Sequence, residues 1–243
     1  MDATYAARYG DLHARHWWWR SREEYVVRKV RELVAGRRLQ ILDVGCGNGL
    51  AWKALAPFGD IEGIEPDAGL LPPNSPHRDR IEISTFPGRP RTQKYDLILM
   101  LDVLEHIEDD KAALAAVREL LAPGGHLLLT VPALMLLWSE FDVLNRHHRR
   151  YRQGPLSALL GAAGFEVLSN RYYFFWSALP LLGRRLLFRA KNAEDTSFIN
   201  VPPAPVNRLL HLASSIDHHL TSRLPAPFGS SLIAVARKPS SRP

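Results

Sequence analysis

Short apolar-rich runs recur along the chain at residues 41–44, 61–64, 81–83, 95–101 and 127–131, most of them closed by a glycine, a proline or an acid. Runs of that length with little alternation mark strands buried on both faces. Between them, 50–55, 111–121 and 156–163 carry leucine and alanine at helical spacing, the last ended by Gly164. Residues 71–80, LPPNSPHRDR, hold too much proline for anything but a loop. A sixth strand begins at 165–167 and a seventh fits 231–236, with a stretch of about sixty residues between them, and 3–35 reads as helix. Strand alternating with helix in this order predicts an α/β fold wound on both faces of a mostly parallel sheet. The tail, 238–243, is expected to be disordered.

The stretch 41–49, ILDVGCGNG, says most about chemistry. An apolar run ending in alternating glycines is how a buried strand turns toward a helix when backbone must lie against a ligand. Dinucleotide sites place glycines first, third and sixth, the last letting the helix pack beneath a pyrophosphate. Here Gly45 and Gly47 are followed by Gly49 one position early, and Leu50 stands sixth. That spacing disfavours a nicotinamide oxidoreductase and favours a nucleotide-like cofactor without a pyrophosphate. Glu65 lies 22 residues after Asp43, at the end of the second strand, placed to accept hydrogen bonds from both hydroxyls of a ribose.

Composition sets limits on these readings. The chain has 243 residues, 46% of them hydrophobic, enough for one globular domain over 1–243 with a sizeable core. A leading signal segment and a membrane-length apolar run are both missing from the pattern, and a single cysteine, Cys46, excludes an intramolecular disulfide, so a cytoplasmic location is expected. Cys46 itself is expected to be a small packed residue in the glycine loop. The net charge of +6 suits nucleic acid, anionic lipid or acidic substrates alike. No separate nucleic-acid module is evident, so a nucleic-acid partner is disfavoured. Nothing in the sequence fixes an oligomeric state.

Four motifs stand in one order: LDVGCGNG, the acid-ended strand IEGIEPD, DVLEHI, and APGGHLLLTVP. Together, over roughly 22–170, they resemble the class I S-adenosylmethionine-dependent methyltransferases, in the broad branch that acts on small molecules. The resemblance implies a Rossmann-like, doubly wound sheet of seven strands, the last antiparallel and paired with the sixth. It also implies an N-terminal helical lid, 1–36, and makes 174–229 an insertion before the last strand. The cofactor implied is S-adenosyl-L-methionine. Gly45, Cys46, Gly47 and Gly49 would lie along it, with Asp43 orienting the loop and the amino group, Glu65 and Pro66 at the ribose, Ser84 and Thr85 near the adenine, and Leu101 and Asp102 beside the methionine part. The acid that often bonds the adenine amine in this family is absent here.

Methyl transfer needs an aligned acceptor and, for an oxygen, a group to take its proton. His106, His147 and His148 are the candidates, each with the plainer reading of a helix cap or a solvated loop. Asp102, Glu105 and His106 stand at i, i+3 and i+4, which on a helical turn would share one side. Some family members bind a divalent metal through E-x-x-E-H; this chain has Asp102 in place of the first glutamate, and a mechanism without metal is expected. In the loop WSEFDVLNRHHRRY, Arg149 and Arg150 could clamp an anionic group, with Tyr151 beside them. Trp18, in the patch HWWWRSR, is expected to close over the pocket. Residues 172–188 are apolar and aromatic and 206–220 amphipathic, suiting either a wall for a greasy substrate or peripheral membrane contact. The expected activity is O-methylation of a small or lipid-like acceptor with a polar or anionic end. An RNA methyltransferase and a non-catalytic cofactor-binding module are the alternatives.

Overall fold

A computed structural model describes residues 10–34, 36–187 and 200–240. Its strands are β1 (Leu39–Val44), β2 (Gly59–Glu65), β3 (Ile81–Ile83), β4 (Tyr95–Leu101), β5 (Leu121–Pro132), β6 (Glu166–Tyr173) and β7 (Ser231–Arg237). They form one sheet in the order β3-β2-β1-β4-β5-β7-β6. β7 runs antiparallel to both neighbours and the other pairs are parallel. This is the Rossmann-like seven-stranded fold that the strand order along the sequence implies. Alternation along the central strands feeds two cores. Leu42, Val44, Ile98 and Met100 face one side, under α3 (Asp110–Leu120) and α5 (Gln153–Ala162). Ile41, Leu97 and Leu99 face the other, under α1 (Trp17–Val34) and α2 (Trp52–Leu55). The strand order reverses between β1 and β4, and the carboxyl ends of strands at such a switch point are where ligands of open parallel sheets bind.

Several local expectations need correction. The helix read over 3–35 breaks at His16, whose Nδ1 accepts the Trp18 N–H at 3.1 Å while Asn207 Oδ1 accepts the Trp17 N–H at 2.9 Å, so α1 starts from two borrowed caps. Residues 3–9 and 35 of that expectation lie outside the described residues. The first core helix is a single turn, Trp52–Leu55, followed by a 3-10 turn at Ala56–Phe58. After β4 the chain makes a 3-10 turn, Leu104–His106, before Asp109 caps α3 through the Ala112 N–H. The tail is tied down at its start: Lys238 exchanges backbone hydrogen bonds with Gly124 and Gly125, and its ammonium donates to the Leu121 carbonyl. Residues 241–243 lie outside the described residues.

The insertion supplies α6 (Phe175–Leu187) and α7 (Ala204–Thr221), α7 packing along α1. Among the described residues no helix is long and apolar enough to cross a membrane.

Candidate active site

Leaving β1, the backbone takes positive φ at Gly45, Gly47 and Gly49, 68°, 58° and 75°, a region that side chains disfavour. A Cβ on Gly45 would also stand 2.5 Å from a Val103 methyl. The Gly45 N–H donates to the Ile64 carbonyl at 2.7 Å, folding the loop across the end of β2. There Glu65 is buried and accepts the Gly47 N–H on one carboxylate oxygen and the Asp67 N–H on the other, both at 2.8 Å. Burial raises its pKa and the two backbone donors oppose the rise. Each oxygen retains a lone pair for a hydroxyl donor.

Beneath the loop, Asp43 is buried and accepts the Trp52 indole N–H at 2.8 Å. Burial pushes its carboxyl up to about 7 despite that bond. Cys46 is buried against Gly63, and burial pushes its thiol well above the ordinary range, which describes a packed residue rather than a nucleophile. Pro66 is exposed at the turn after Glu65. Ser84 donates its N–H to the Glu65 carbonyl at 3.1 Å and its hydroxyl to the carbonyl of the exposed Thr85.

At the end of β4, half-buried Leu101 is followed by Asp102 with φ 57°, a left-handed non-glycine residue of the kind that stores strain beside ligand sites. The Asp102 carboxylate lies 2.6 Å from Nε of Arg22, whose side chain is 8% exposed. The Arg22 guanidinium also lies over Trp18 and Trp19, 5.6 and 5.5 Å from their ring centres. Trp18 stacks on Phe174, just past β6, at 5.9 Å. One ion pair and an aromatic layer therefore fasten α1 over the carboxyl end of β4.

The third part is the 3-10 turn and the loop after β5. The turn that carries Glu105 and His106 is 3-10 rather than α-helical and follows the left-handed Asp102, whose charge still acts on both. Asp102 meets Arg22, whereas ligand atoms of Glu105, His106 and His147 come within 4.8 Å of one another. Glu105 is fully buried, and among the described residues neither carboxylate oxygen finds a hydrogen-bond partner. Burial, then the Asp102 charge, push its pKa well above the carboxylate range. His106 is exposed, yet desolvation and then His147 hold its imidazole down to about 4. The His106 and His147 rings meet edge to face, 4.6 Å apart.

His147 is oriented from behind by Asp142, Nδ1 to Oδ1 at 2.9 Å. Asp142 is fully buried at the start of α4 (Glu140–Leu144) and also takes the Arg150 guanidinium on both oxygens, at 2.7 and 2.8 Å. Burial alone would raise the Asp142 carboxyl; the hydrogen bonds from His147 and Arg150 overcome it and hold it well below the usual range. Arg149 reaches Asp110 at 2.7 Å and the Glu108 carbonyl, and the Tyr151 hydroxyl reaches Asp110 at 3.1 Å. Both guanidiniums are thus paired with carboxylates, Arg150 with the buried Asp142 and the 30% exposed Arg149 with Asp110, which the Tyr151 hydroxyl shares. The His148 ring is exposed, its backbone N–H held by the Glu105 carbonyl, so it stands outside the cluster.

Two residues that shape the site, Arg22 and Asp142, escaped sequence reasoning although both lie in motifs singled out there. The signal for Asp142 was an acid five residues before a histidine in a loop that turns basic. For Arg22 it was the placement of a cation after three tryptophans.

A family model described as a methyltransferase domain matches residues 18–170, more than half of the chain. The chain belongs to the methyltransferase-domain family. The ubiquinone biosynthesis O-methyltransferase of Azorhizobium caulinodans is 29% identical over 158 residues, 56% of this chain and 62% of that protein. Against relatives of the same description in Alkalilimnicola ehrlichii and Cereibacter sphaeroides the chain spans 48% and 38% of their length. Among solved structures, the complex of the Haloferax volcanii Trm112 methyltransferase activator with its methyltransferase superposes with a TM-score of 0.61 at 15% identity, over 99% of this chain and 96% of that one. The N-methyltransferase NodS from Bradyrhizobium japonicum, solved with S-adenosyl-L-homocysteine, gives 0.53 at 14% identity, over 91% and 88%.

Proposed function

We propose that this chain works as one domain, an S-adenosylmethionine-dependent methyltransferase that methylates an oxygen of a small or lipophilic acceptor. The observation that carries the reading is Glu65, held at the end of β2 by the N–H of Gly47 with acceptor capacity to spare for a ribose diol. Family membership, the O-methyltransferase relatives and a neighbour solved with the demethylated cofactor support it. When bound, the cofactor supplies a methyl group on a sulfonium for in-line displacement. The glycine loop admits it against backbone, Asp43 orients its amino group, Ser84 and Thr85 border the adenine, and Leu101 and Asp102 border the methionine part. Trp18 and Arg22, fastened to Asp102, close α1 over the site and exclude water. His147 donates Nδ1–H to Asp142, which leaves the Nε2 lone pair to take the acceptor's hydroxyl proton. Asp142 and Arg150 act as positioning residues. Glu65→Ala should weaken S-adenosylmethionine by about 2 kcal/mol in calorimetry, the scale of lost charge-assisted hydrogen bonds. Unchanged affinity in a folded variant, or a preference for NAD, would sink the assignment.

A second reading rests on Glu105. A buried carboxylate with both oxygens orphaned beside two imidazoles fits the donor set of a divalent metal, held by Glu105, His106 and His147. Such an ion would supply Lewis-acid polarisation of the acceptor oxygen. Turnover that survives dialysis against EDTA supports His147 as base. Loss of turnover restored by magnesium or manganese, together with the same loss in Glu105→Gln, supports the metal.

A further inference from the structure

Helix α7 is packed inside out. Its leucines recur every three or four positions, which on an ordinary surface helix marks the face turned to the core. Here that face is the outer one: Val206, Leu209, Leu212, Ile216 and Leu220, with Leu224 just beyond, are each 47% to 65% exposed. The buried face is polar and consists of Asn207, Ser214, Asp217, His218 and Thr221. Hydrogen bonds fix that rotation. Asn207 caps α1 through the Trp17 N–H and donates to the Arg15 carbonyl at 2.8 Å. Asp217 accepts the N–H groups of Phe175 and Trp176 at 3.0 and 3.3 Å, and Ser214 receives the Trp176 indole N–H. Rolling the leucines inward would break all of these, so the apolar stripe is held outward by design of the helix itself.

The border of the stripe is basic. Arg208, His219 and Arg223 are exposed along it, while the helix's acid, Asp217, faces inward. We propose that α7 lies in the plane of an anionic bilayer surface, its leucines among the upper acyl chains and Arg208 and Arg223 among the phosphates. A second copy of this chain fits the stripe less well. A two-fold contact that sets the helices antiparallel brings basic border against basic border, and one that sets them parallel gives that border no acid of α7, since Asp217 faces inward. α6 packs against both α7 and the turn Met135–Leu137, and Leu179, Met135 and Leu136 are exposed there. The surface goes beyond methyl transfer and does not depend on it. It would hold α1, and with it the closed end of the cleft, beside a bilayer in which a lipophilic acceptor dissolves.

The test is sedimentation of the full chain with vesicles of phosphatidylcholine alone and of equal parts phosphatidylcholine and phosphatidylglycerol. The chain should sediment with the anionic vesicles, at least tenfold more weakly with the neutral ones, and be released by salt. Leu212→Asp and Ile216→Asp should each weaken binding on the order of tenfold or more with only a small drop in melting temperature, because Leu212 is 56% and Ile216 52% exposed in the free chain. Arg208→Glu should remove most of the preference for the anionic lipid. Failure to sediment with anionic vesicles, or aspartate variants that bind as wild type does, would overturn the proposal. So would light scattering that finds a dimer dispersed by Leu212→Asp, which would assign the stripe to a second copy.

Discussion

On the proposed reading, a carboxyl buried under the loop that receives the cofactor's amino group should exchange a measurable proton on binding. Asp43 has its pKa pushed from 3.8 up to about 7 by burial, so the ligand-free chain favours the protonated acid below neutrality. Its contribution to stability is complete below 3.8 and is lost as pH rises through about 7. An ammonium group nearby favours the ionised form, so cofactor binding should expel this proton. Affinity for S-adenosylmethionine should therefore climb as pH rises toward about 7 and level off above it. Asp43→Asn should flatten the profile. Calorimetry in buffers of different ionisation enthalpy reads the proton directly, and a wild-type profile without slope would remove Asp43 from the site. Asp142 has the opposite sign. His147 and Arg150 depress its pKa, so its stabilisation is present above 3.8 and disappears as pH falls below that value. Asp142→Asn leaves Arg150 and His147 without their carboxylate and should cost about 3–5 kcal/mol in denaturant unfolding at pH 7.

Among the elements, the strands were legible because a strand buried on both faces needs a continuous apolar run, and little else in the chain looks like 95–101 or 127–131. The conformation of the glycine loop and the place of Glu65 were legible for a related reason: positive φ demands glycine, and spacing along two parallel strands puts the acid at the end of β2. The helices of the lid and insertion were harder. Their boundaries depend on partners distant in sequence, as where Asn207 supplies the cap that starts α1 at Trp17, 190 residues away. The α-helical turn expected over Asp102, Glu105 and His106 is instead a left-handed residue followed by a 3-10 turn, and Asp102 pairs with Arg22. The apolar pattern of α7 was visible, but which face it turned to water was decided by polar ties that no periodicity records. Asn207→Ala should therefore act on two elements at once, removing both the cap of α1 and the anchor of α7. A loss of about 1–2 kcal/mol is expected in thermal or denaturant unfolding. A loss within a few tenths of a kcal/mol would show that the α1–α7 contact does not depend on this residue.

At the scale of the molecule, the cleft draws on β1, β2, β4 and α1 together, so a cofactor that binds there stabilises the native state against unfolding as a unit. At one hundred times its dissociation constant, S-adenosylmethionine should add about 2.7 kcal/mol. For a chain of this size each kcal/mol moves the melting temperature by about 2–4 °C, so an upward shift of roughly 5–11 °C is expected. Glu65→Ala, weakened by about 2 kcal/mol, binds roughly thirtyfold less tightly, and at the same ligand concentration its shift should shrink to about 2–3 °C. The two measurements together separate loss of binding from loss of fold. A variant that melts lower without ligand and still shifts in full would show Glu65 to be structural, holding the loop through Gly47 and Asp67 alone. A wild-type chain that shifts with NAD and not with S-adenosylmethionine would reject the cofactor. A small shift in the variant with an unchanged ligand-free melting temperature is the outcome that places the ribose on Glu65.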